Sequence, residues 1–282
     1  MLPFPRYTFD SSGLEKRLAK INLNLSLQPD EKKKLLVHIL SMTDLTSLEG
    51  TDNENSIAQL CRKAVEIGAT PGFLAPVTVC IYPVFARFAL NQLHSTGIKV
   101  AAVAGGFPSG QAPLHIKLDE LKYALDQEAQ EIEYVINRGN ILMGRDQEVY
   151  DEIAAAREIC GDITLKIILE TGELQSVINI RKASEIAILA GADFLKTSTG
   201  KAIQGATPQA FLVMLDTIHE YLELTGKSVG IKASGGIRQT TQALTYYHLT
   251  GNLLGEQWLT KNYFRIGASS LAGEILKECS QS

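Results

Sequence analysis

Residues 164–201 read TLKIILETGELQSVINIRKASEIAILAGADFLKTSTGK. The segment reads as a strand, a helix and a second strand. Side chains alternate across a strand, so positions i, i+2 and i+4 share a face. Leu165, Ile167 and Leu169 therefore lie on one face of the first strand, and Thr164, Lys166, Ile168 and Glu170 on the other. In the second strand Ala192, Phe194 and Lys196 lie together. The helix-like stretch 174–190 between them implies a crossover, and hence parallel pairing.

The same rhythm extends in both directions. Strand-like runs stand at His38–Asp44, Leu74–Ile81, Lys99–Val103, Ile132–Asn137, Thr164–Glu170, Ala192–Thr197, Ser228–Ala233 and Tyr263–Gly267. Helix-like segments follow them near 55–68, 83–95, 113–129, 146–160, 174–190, 208–224, 238–249 and 270–277. Eight β-α units predict an α/β fold of the (β/α)8 TIM barrel type, whose usual size is about 250 residues. A doubly wound open sheet usually carries a G-x-G-x-x-G turn after its first strand, and none follows Asp44. The expected organisation is a helical N-terminal extension over 1–36 and a barrel catalytic domain over 37–282. Within the extension, Glu15–Ile21 reads as one short helix and Asp30 as the cap of another.

The composition excludes several classes. The chain has 282 residues, 45% hydrophobic and 21% charged, which is globular rather than disordered, collagen-like or coiled-coil. Its 27 basic and 31 acidic residues leave a net charge of −4, unsuited to gripping nucleic acid or an anionic membrane. Cys61, Cys80, Cys160 and Cys279 form no CxxC pair and read as reduced thiols, consistent with a cytoplasmic protein. The opening MLPFPRYTFD has no signal-peptide character. Gly68–Ala86 carries no charge, but Pro71, Gly72, Pro76 and Pro83 interrupt it, so it reads as a buried strand with turns rather than a membrane span.

With the apolar faces turned toward the helices, Glu133, Lys166, Lys196 and Lys232 point into the barrel from four consecutive strands. One strand lysine alone is ordinarily a strand-end residue with its head in water. Three inward lysines beside a carboxylate are not explained that way. A free lysine has a pKa of about 10.4 and is protonated at neutral pH. A second ammonium about 6 Å away contributes roughly 3 kcal/mol toward deprotonation at an effective dielectric near 20, and burial adds to it. An amine so depressed attacks carbonyls and forms a Schiff base, and a nearby acid or base then moves protons. Ser234-Gly235-Gly236 in loop 7 and Gly267-Ala268-Ser269-Ser270 before the last helix suit a phosphate, because glycine lets backbone N–H groups approach an anion. Thr197-Ser198-Thr199-Gly200-Lys201 adds donors beside Lys196.

The chain resembles the deoxyribose-phosphate aldolase family from about Asp44 to Ser270. The runs that carry the resemblance are MTDLTSL at 42–48, VCIYP at 79–83, FPSG at 107–110, LKIILETGEL at 165–174, GADFLKTSTGK at 191–201, IKASGGIR at 231–238 and RIGASS at 265–270. The resemblance implies a class I aldolase that cleaves 2-deoxy-D-ribose 5-phosphate to D-glyceraldehyde 3-phosphate and acetaldehyde, in deoxyribonucleoside catabolism. It implies Lys196 as the Schiff-base lysine, Lys232 as the lysine that depresses its pKa, and Lys166 as a proton-relay and substrate-binding lysine. It implies phosphate binding by Gly235, Gly236, Ser269 and Ser270, with Thr199, Gly200 and Lys201 beside them, and substrate contacts at Asp44 and Thr46. No metal or cofactor is implied; the partner is a small phosphorylated sugar, and a homodimer is in keeping with the family.

One position departs from the family pattern. The strand-4 site usually holds Asp within E-x-D-x-V, and here the run is Glu131-Ile132-Glu133-Tyr134-Val135. A proton-relay group displaced by about 1 Å can cost about a hundredfold in rate. Two other readings stand beside the aldolase: a lysine aldolase for a larger phosphorylated sugar or hydroxyketone, and a barrel that binds a phosphorylated metabolite without turnover. Cys80, at the end of strand 2, reads as a buried filler, with a thiol open to alkylation by unsaturated aldehydes as the alternative.

Overall fold

A computed structural model of the chain describes residues 4–21 and 27–281. Residues 1–3 and 22–26 of the expected extension, and Ser282, lie outside them. Eight strands close into a parallel barrel: β1 Thr43–Thr46, β2 Thr78–Ile81, β3 Lys99–Ala104, β4 Glu131–Val135, β5 Thr164–Ile168, β6 Phe194–Lys196, β7 Gly230–Ser234 and β8 Phe264–Ala268. Each pairs with its sequence neighbours, and β8 returns to β1 with Ile266 opposite Thr43. Closure leaves no unpaired strand edge.

The helices are α1 Ser11–Lys20, α2 Pro29–Leu40, α3 Glu54–Ala69, α4 Ala86–Gln92, α5 Leu114–Asp126, α6 Arg138–Leu142, α7 Asp146–Cys160, α8 Val177–Leu189, α9 Pro208–Thr225, α10 Thr240–Leu254 and α11 Leu271–Gln281. Their starts are written in short polar side chains. Asn53 caps α3 by accepting from the Asn55 and Ser56 N–H groups, and Thr207 caps α9 by accepting from Ala210 N–H. Among the described residues, no helix is long and apolar enough to cross a membrane. The uncharged stretch 68–86 spans the end of α3, a turn, β2 and the start of α4.

Strand alternation sorts the side chains into two cores. Leu45, Val79, Ile132, Leu165, Ile167, Leu195 and Ile231 face outward into the large apolar core beneath the helices. Inside the barrel, Cys80, Ala101 and Val103 form a small separate apolar patch with Leu48, under Tyr82 and Phe107. The rest of the interior is ionic. Two inward glycines make room for it. A Cβ on Gly267 would lie 2.8 Å from Lys232 Cε, and one on Gly230 would lie 2.4 Å from the Phe194 ring. The Phe194 ring in turn sits under two cations, 5.9 Å from Lys166 Nζ and 5.5 Å from Arg265 Cζ.

Two expectations need correction. His38–Leu40 belong to α2, and the first strand starts only at Thr43. Leu36, Ile39 and Leu40 are buried at helical spacing, and a short apolar run fits either period. Asp30 does not cap α2. Gln28 holds that position, Pro29 begins the helix, and Asp30 and Glu31 sit in its first turn, where negative charge is favourable. The short helix α6, capped by the Asn137 side chain, was not anticipated. Within the N-terminal segment, α1 docks on α9. Arg17 donates two hydrogen bonds to Asp216 at 2.5 and 2.7 Å, Tyr7 Oη adds a third at 2.7 Å, and Leu14 is fully buried.

Gly267→Ala places a methyl group 2.8 Å from Lys232 Cε and 2.9 Å from Ser234 Cβ, so a buried neighbour must shift. It is expected to destabilise the fold by about 1–3 kcal/mol, read as a lower urea midpoint at unchanged m-value. An unchanged midpoint would mean that Lys232 does not fill that space.

Candidate active site

The interior charges form one connected network. Lys166 Nζ lies 2.7 Å from Glu131 Oε2, 2.8 Å from Asp44 Oδ2 and 3.1 Å from Glu133 Oε1. Lys232 Nζ donates to Asp44 Oδ2 and Glu133 Oε1, both at 2.5 Å. Lys196 Nζ donates to Glu133 Oε2 at 2.5 Å. Arg265 closes the other side, with Nη1 2.8 Å from Asp44 Oδ1 and Nη2 3.1 Å from Glu131 Oε1. The strand register explains the meeting: Glu133 stands opposite Lys166, Lys196 opposite Lys232, and Lys232 opposite Arg265.

Four buried cations thus face three buried carboxylates. With all of them ionised, the interior carries one uncompensated positive charge. The coordination is uneven, since Lys166 touches three carboxylates, Lys232 two and Lys196 one.

Burial alone would favour the neutral form of every group, and the opposite charges overcome it. Against burial, Lys166, Lys232 and Arg265 hold Asp44 below the usual carboxylate range. Against burial, Lys196, Lys232 and Lys166 hold Glu133 well below it, and Lys166 and Arg265 lower Glu131. Burial likewise pulls the amines down, but Asp44, Glu131 and Glu133 keep Lys166 above the usual lysine range, and Asp44 and Glu133 do the same for Lys232. Burial first, then the Glu133 charge, pushes the Cys80 thiol up to about 12. With Ala101 and Val103 as neighbours, it is a filler of the interior.

Above this floor, at the C-terminal ends of the strands, lies a cavity of about 190 Å³. Lys196, Thr46, Thr199, Gly200, Lys201, Gly235, Gly236 and Ser269 all line it. Lys201 Nζ pairs with Glu49 Oε2 at 2.8 Å across the mouth. The loops after β6 and β7 meet without side chains between them. A Cβ on Gly205 would lie 2.2 Å from the Gly235 carbonyl oxygen, and Ala206 N–H donates to the Ser234 and Gly235 carbonyls at 3.1 Å. A larger cavity of about 500 Å³ lies outside the barrel between α2 and α10, lined by His38, Tyr247 and His248. It contains none of the inward lysines, so chemistry rather than size marks the candidate site.

Of the residues singled out in the sequence, Asp44, Glu133, Lys166 and Lys232 lie fully buried beneath the cavity, and Lys196 alone of the three lysines opens to it. Ser270 is not among the lining residues. Its carbonyl accepts from Gly273 N–H at 3.0 Å at the start of α11. Sequence reasoning missed Glu131 and Arg265. Both carried a signal: Glu131 is two positions before Glu133, and Arg265 alternates with the outward Phe264 and Ile266. Glu49 and Arg238, which also line the cavity, carried none.

The depressed carboxyls and raised amines make a pH prediction. A carboxyl whose folded pKa lies below its unfolded value stabilises above about pH 4 and loses that contribution as pH falls through the folded value. Unfolding free energy is therefore expected to fall as pH drops below about 4, and less steeply in Glu131→Gln. Identical acid slopes in urea titrations of the two proteins would contradict the network.

The family model for DeoC/LacD family aldolases matches residues 38–248. The deoxyribose-phosphate aldolases of Mus musculus and Homo sapiens are each 38% identical to this chain over 274 residues, covering 93% of it and 86% of their own length. The solved structure of QR15, an aldolase, superposes with a TM-score of 0.70 at 28% identity, covering 85% of this chain and 96% of its own. With that match across most of its length, and a lysine-floored cavity at the C-terminal mouth of a closed (β/α)8 barrel, the chain belongs to the DeoC/LacD family of aldolases.

Proposed function

We propose that this chain is a class I aldolase that cleaves 2-deoxy-D-ribose 5-phosphate to D-glyceraldehyde 3-phosphate and acetaldehyde through a Schiff base on Lys196. The observation that carries this reading is the position of Lys196. Its amine is the one buried lysine nitrogen group that reaches the cavity, and it has a carboxylate 2.5 Å away. The cavity of about 190 Å³ lies below the usual ligand-site range of about 300–1,000 Å³, which favours a small sugar phosphate over a larger one.

The reaction needs a neutral amine to attack the substrate aldehyde. Glu133 Oε2 is the acceptor within reach of the departing proton. Among the charges holding Glu133 low, Lys196 comes first. Removal of the Lys196 charge therefore makes Glu133 more basic at the moment a proton needs a home. Loss of water from the carbinolamine gives the iminium. A base takes the C3 hydroxyl proton, the C2–C3 bond breaks, and its electrons pass to the iminium nitrogen as an enamine while glyceraldehyde 3-phosphate leaves. Protonation at C2 and hydrolysis then release acetaldehyde. Lys166 and Lys232, both hydrogen-bonded to Glu133 Oε1, stabilise the carboxylate through this traffic. The phosphate binds against Gly235, Gly236 and Ser269. It draws Lys201 from Glu49, whose side chain is 68% exposed, at a cost of about 1 kcal/mol or less. A phosphate dianion also offsets the interior's uncompensated positive charge.

Glyceraldehyde 3-phosphate release from 2-deoxyribose 5-phosphate, followed by a coupled dehydrogenase assay, tests the reading. Turnover is expected, and Lys196→Arg is expected to abolish it. No turnover by the unaltered protein would overturn the proposal. Glu133→Gln is expected to lower kcat by about 10²–10⁴-fold. Glu133→Asp withdraws the carboxylate from amines now at contact distance, and a loss of about a hundredfold is expected. Equal rates for Glu133→Gln and the unaltered protein would remove Glu133 from proton transfer.

A further inference from the structure

Glu170 lies outside the lysine network, yet it is among the most constrained residues of the molecule. It follows β5, and its backbone is left-handed at φ 54° and ψ 59°, a conformation that is strained for a non-glycine residue. The residue is 1% exposed. One carboxyl oxygen, Oε2, accepts from the Thr199 N–H at 3.2 Å and from the Thr199 hydroxyl through a short hydrogen bond. The other, Oε1, is buried without a hydrogen-bond partner. A strained backbone and a buried acid with one orphaned oxygen are both unfavourable. Nothing in the packing of the apolar core requires an acid there.

What Glu170 holds is the turn over the cavity. The Thr199 hydroxyl that donates to Glu170 accepts from Lys201 N–H at 3.0 Å. Gly200 between them has a left-handed φ of 82°. Thr199, Gly200 and Lys201 all line the cavity beside Gly235 and Gly236, and a Cβ on Gly235 would lie 3.5 Å from Gly200 Cα. A turn with a glycine at its centre has many alternative conformations, and the carboxyl of Glu170 selects one. The neighbouring Thr171 N–H donates to the Thr197 carbonyl at 2.9 Å, which ties the two loops together just before the turn. Arg138 and Glu173 are the other charges that act on Glu170, in opposite directions.

We infer that Glu170 is a positioning residue for phosphate recognition: through Thr199 it fixes the Thr199–Lys201 turn so that the Gly200 backbone and the Lys201 ammonium meet the substrate's phosphate. The inference rests on the aldolase reading above. It separates two properties that a merely structural residue would not separate, namely binding of the phosphate and chemistry at Lys196.

The test compares the unaltered protein with Glu170→Ala, Glu170→Gln and Thr199→Val. Three quantities are measured: kcat and KM for 2-deoxyribose 5-phosphate, the competitive inhibition constant of inorganic phosphate, and the rate of borohydride trapping of Lys196 with acetaldehyde, which has no phosphate. Loss of hydrogen bonds to a charged partner predicts that Glu170→Ala raises KM and the phosphate inhibition constant together by about tenfold or more. Its kcat and acetaldehyde trapping stay close to those of the unaltered protein. Glu170→Gln, which keeps an acceptor for Thr199, falls between the two, and Thr199→Val reproduces the rise in KM. If Glu170→Ala does not fold, the other two variants decide. Unchanged KM and inhibition constants, or an equal fall in acetaldehyde trapping, would overturn the inference and leave the aldolase reading intact. An unaltered protein that neither cleaves the sugar phosphate nor is trapped by acetaldehyde would overturn the aldolase reading, and this inference with it.

Discussion

One carboxylate organises the interior of this barrel. Glu133 lies within hydrogen-bond reach of Lys166, Lys196 and Lys232. Without it, Lys196 would lose its carboxylate contact and three ammonium groups would share only Asp44 and Glu131 in a closed, water-poor space, where like charges repel by several kcal/mol. Removing one member of a buried ion group typically costs about 3–5 kcal/mol, because its partner is left uncompensated. Buried charge of this kind is poor evidence for stability. Its presence in the middle of an otherwise apolar barrel is better explained by chemistry, which the shell of outward Leu, Ile and Val residues makes affordable.

The network also divides the labour between floor and mouth. From below, Asp44 compensates Lys166 and Lys232, Glu131 compensates Lys166, and Arg265 pairs with both of these carboxylates. Lys196 has one carboxylate contact and opens upward into the cavity. Around that opening the chain uses glycine and backbone rather than bulky side chains, and the two loops approach closely enough at Gly205 and Gly235 that no Cβ fits. A cationic floor below a rim of backbone donors suits an aldehyde at one end of a substrate and a phosphate at the other.

Much of this was legible in the sequence. Short apolar runs between amphipathic stretches marked eight strands, and period-two alternation turned Glu133, Lys166, Lys196 and Lys232 inward, since parity alone decides which face a strand residue takes. The edges were less legible. His38-Ile39-Leu40 fits a strand and a helix equally well, and burial against α10 and α11 decided for the helix. Parity also pointed Glu131 and Arg265 inward, but their partnership needed the register between β4 and β8, across the barrel. Lys232 shows a different limit. Sequence reading made it a bare like-charge neighbour of Lys196, whereas the structure sets the Glu133 carboxylate against both amines at 2.5 Å. Such a distance depends on side-chain length and barrel closure, which alternation does not encode. The bond from Glu170 to Thr199 joins two loops of irregular backbone, where no periodic signal exists.

The measurement that tests the account most directly is a crystal structure of the protein after borohydride reduction in the presence of 2-deoxyribose 5-phosphate. The account predicts continuous density from Lys196 Nζ to the sugar carbon, a phosphate against Gly235, Gly236 and Ser269, and Lys201 released from Glu49. An adduct on Lys166, Lys232 or a surface lysine, or a phosphate bound away from those loops, would contradict it.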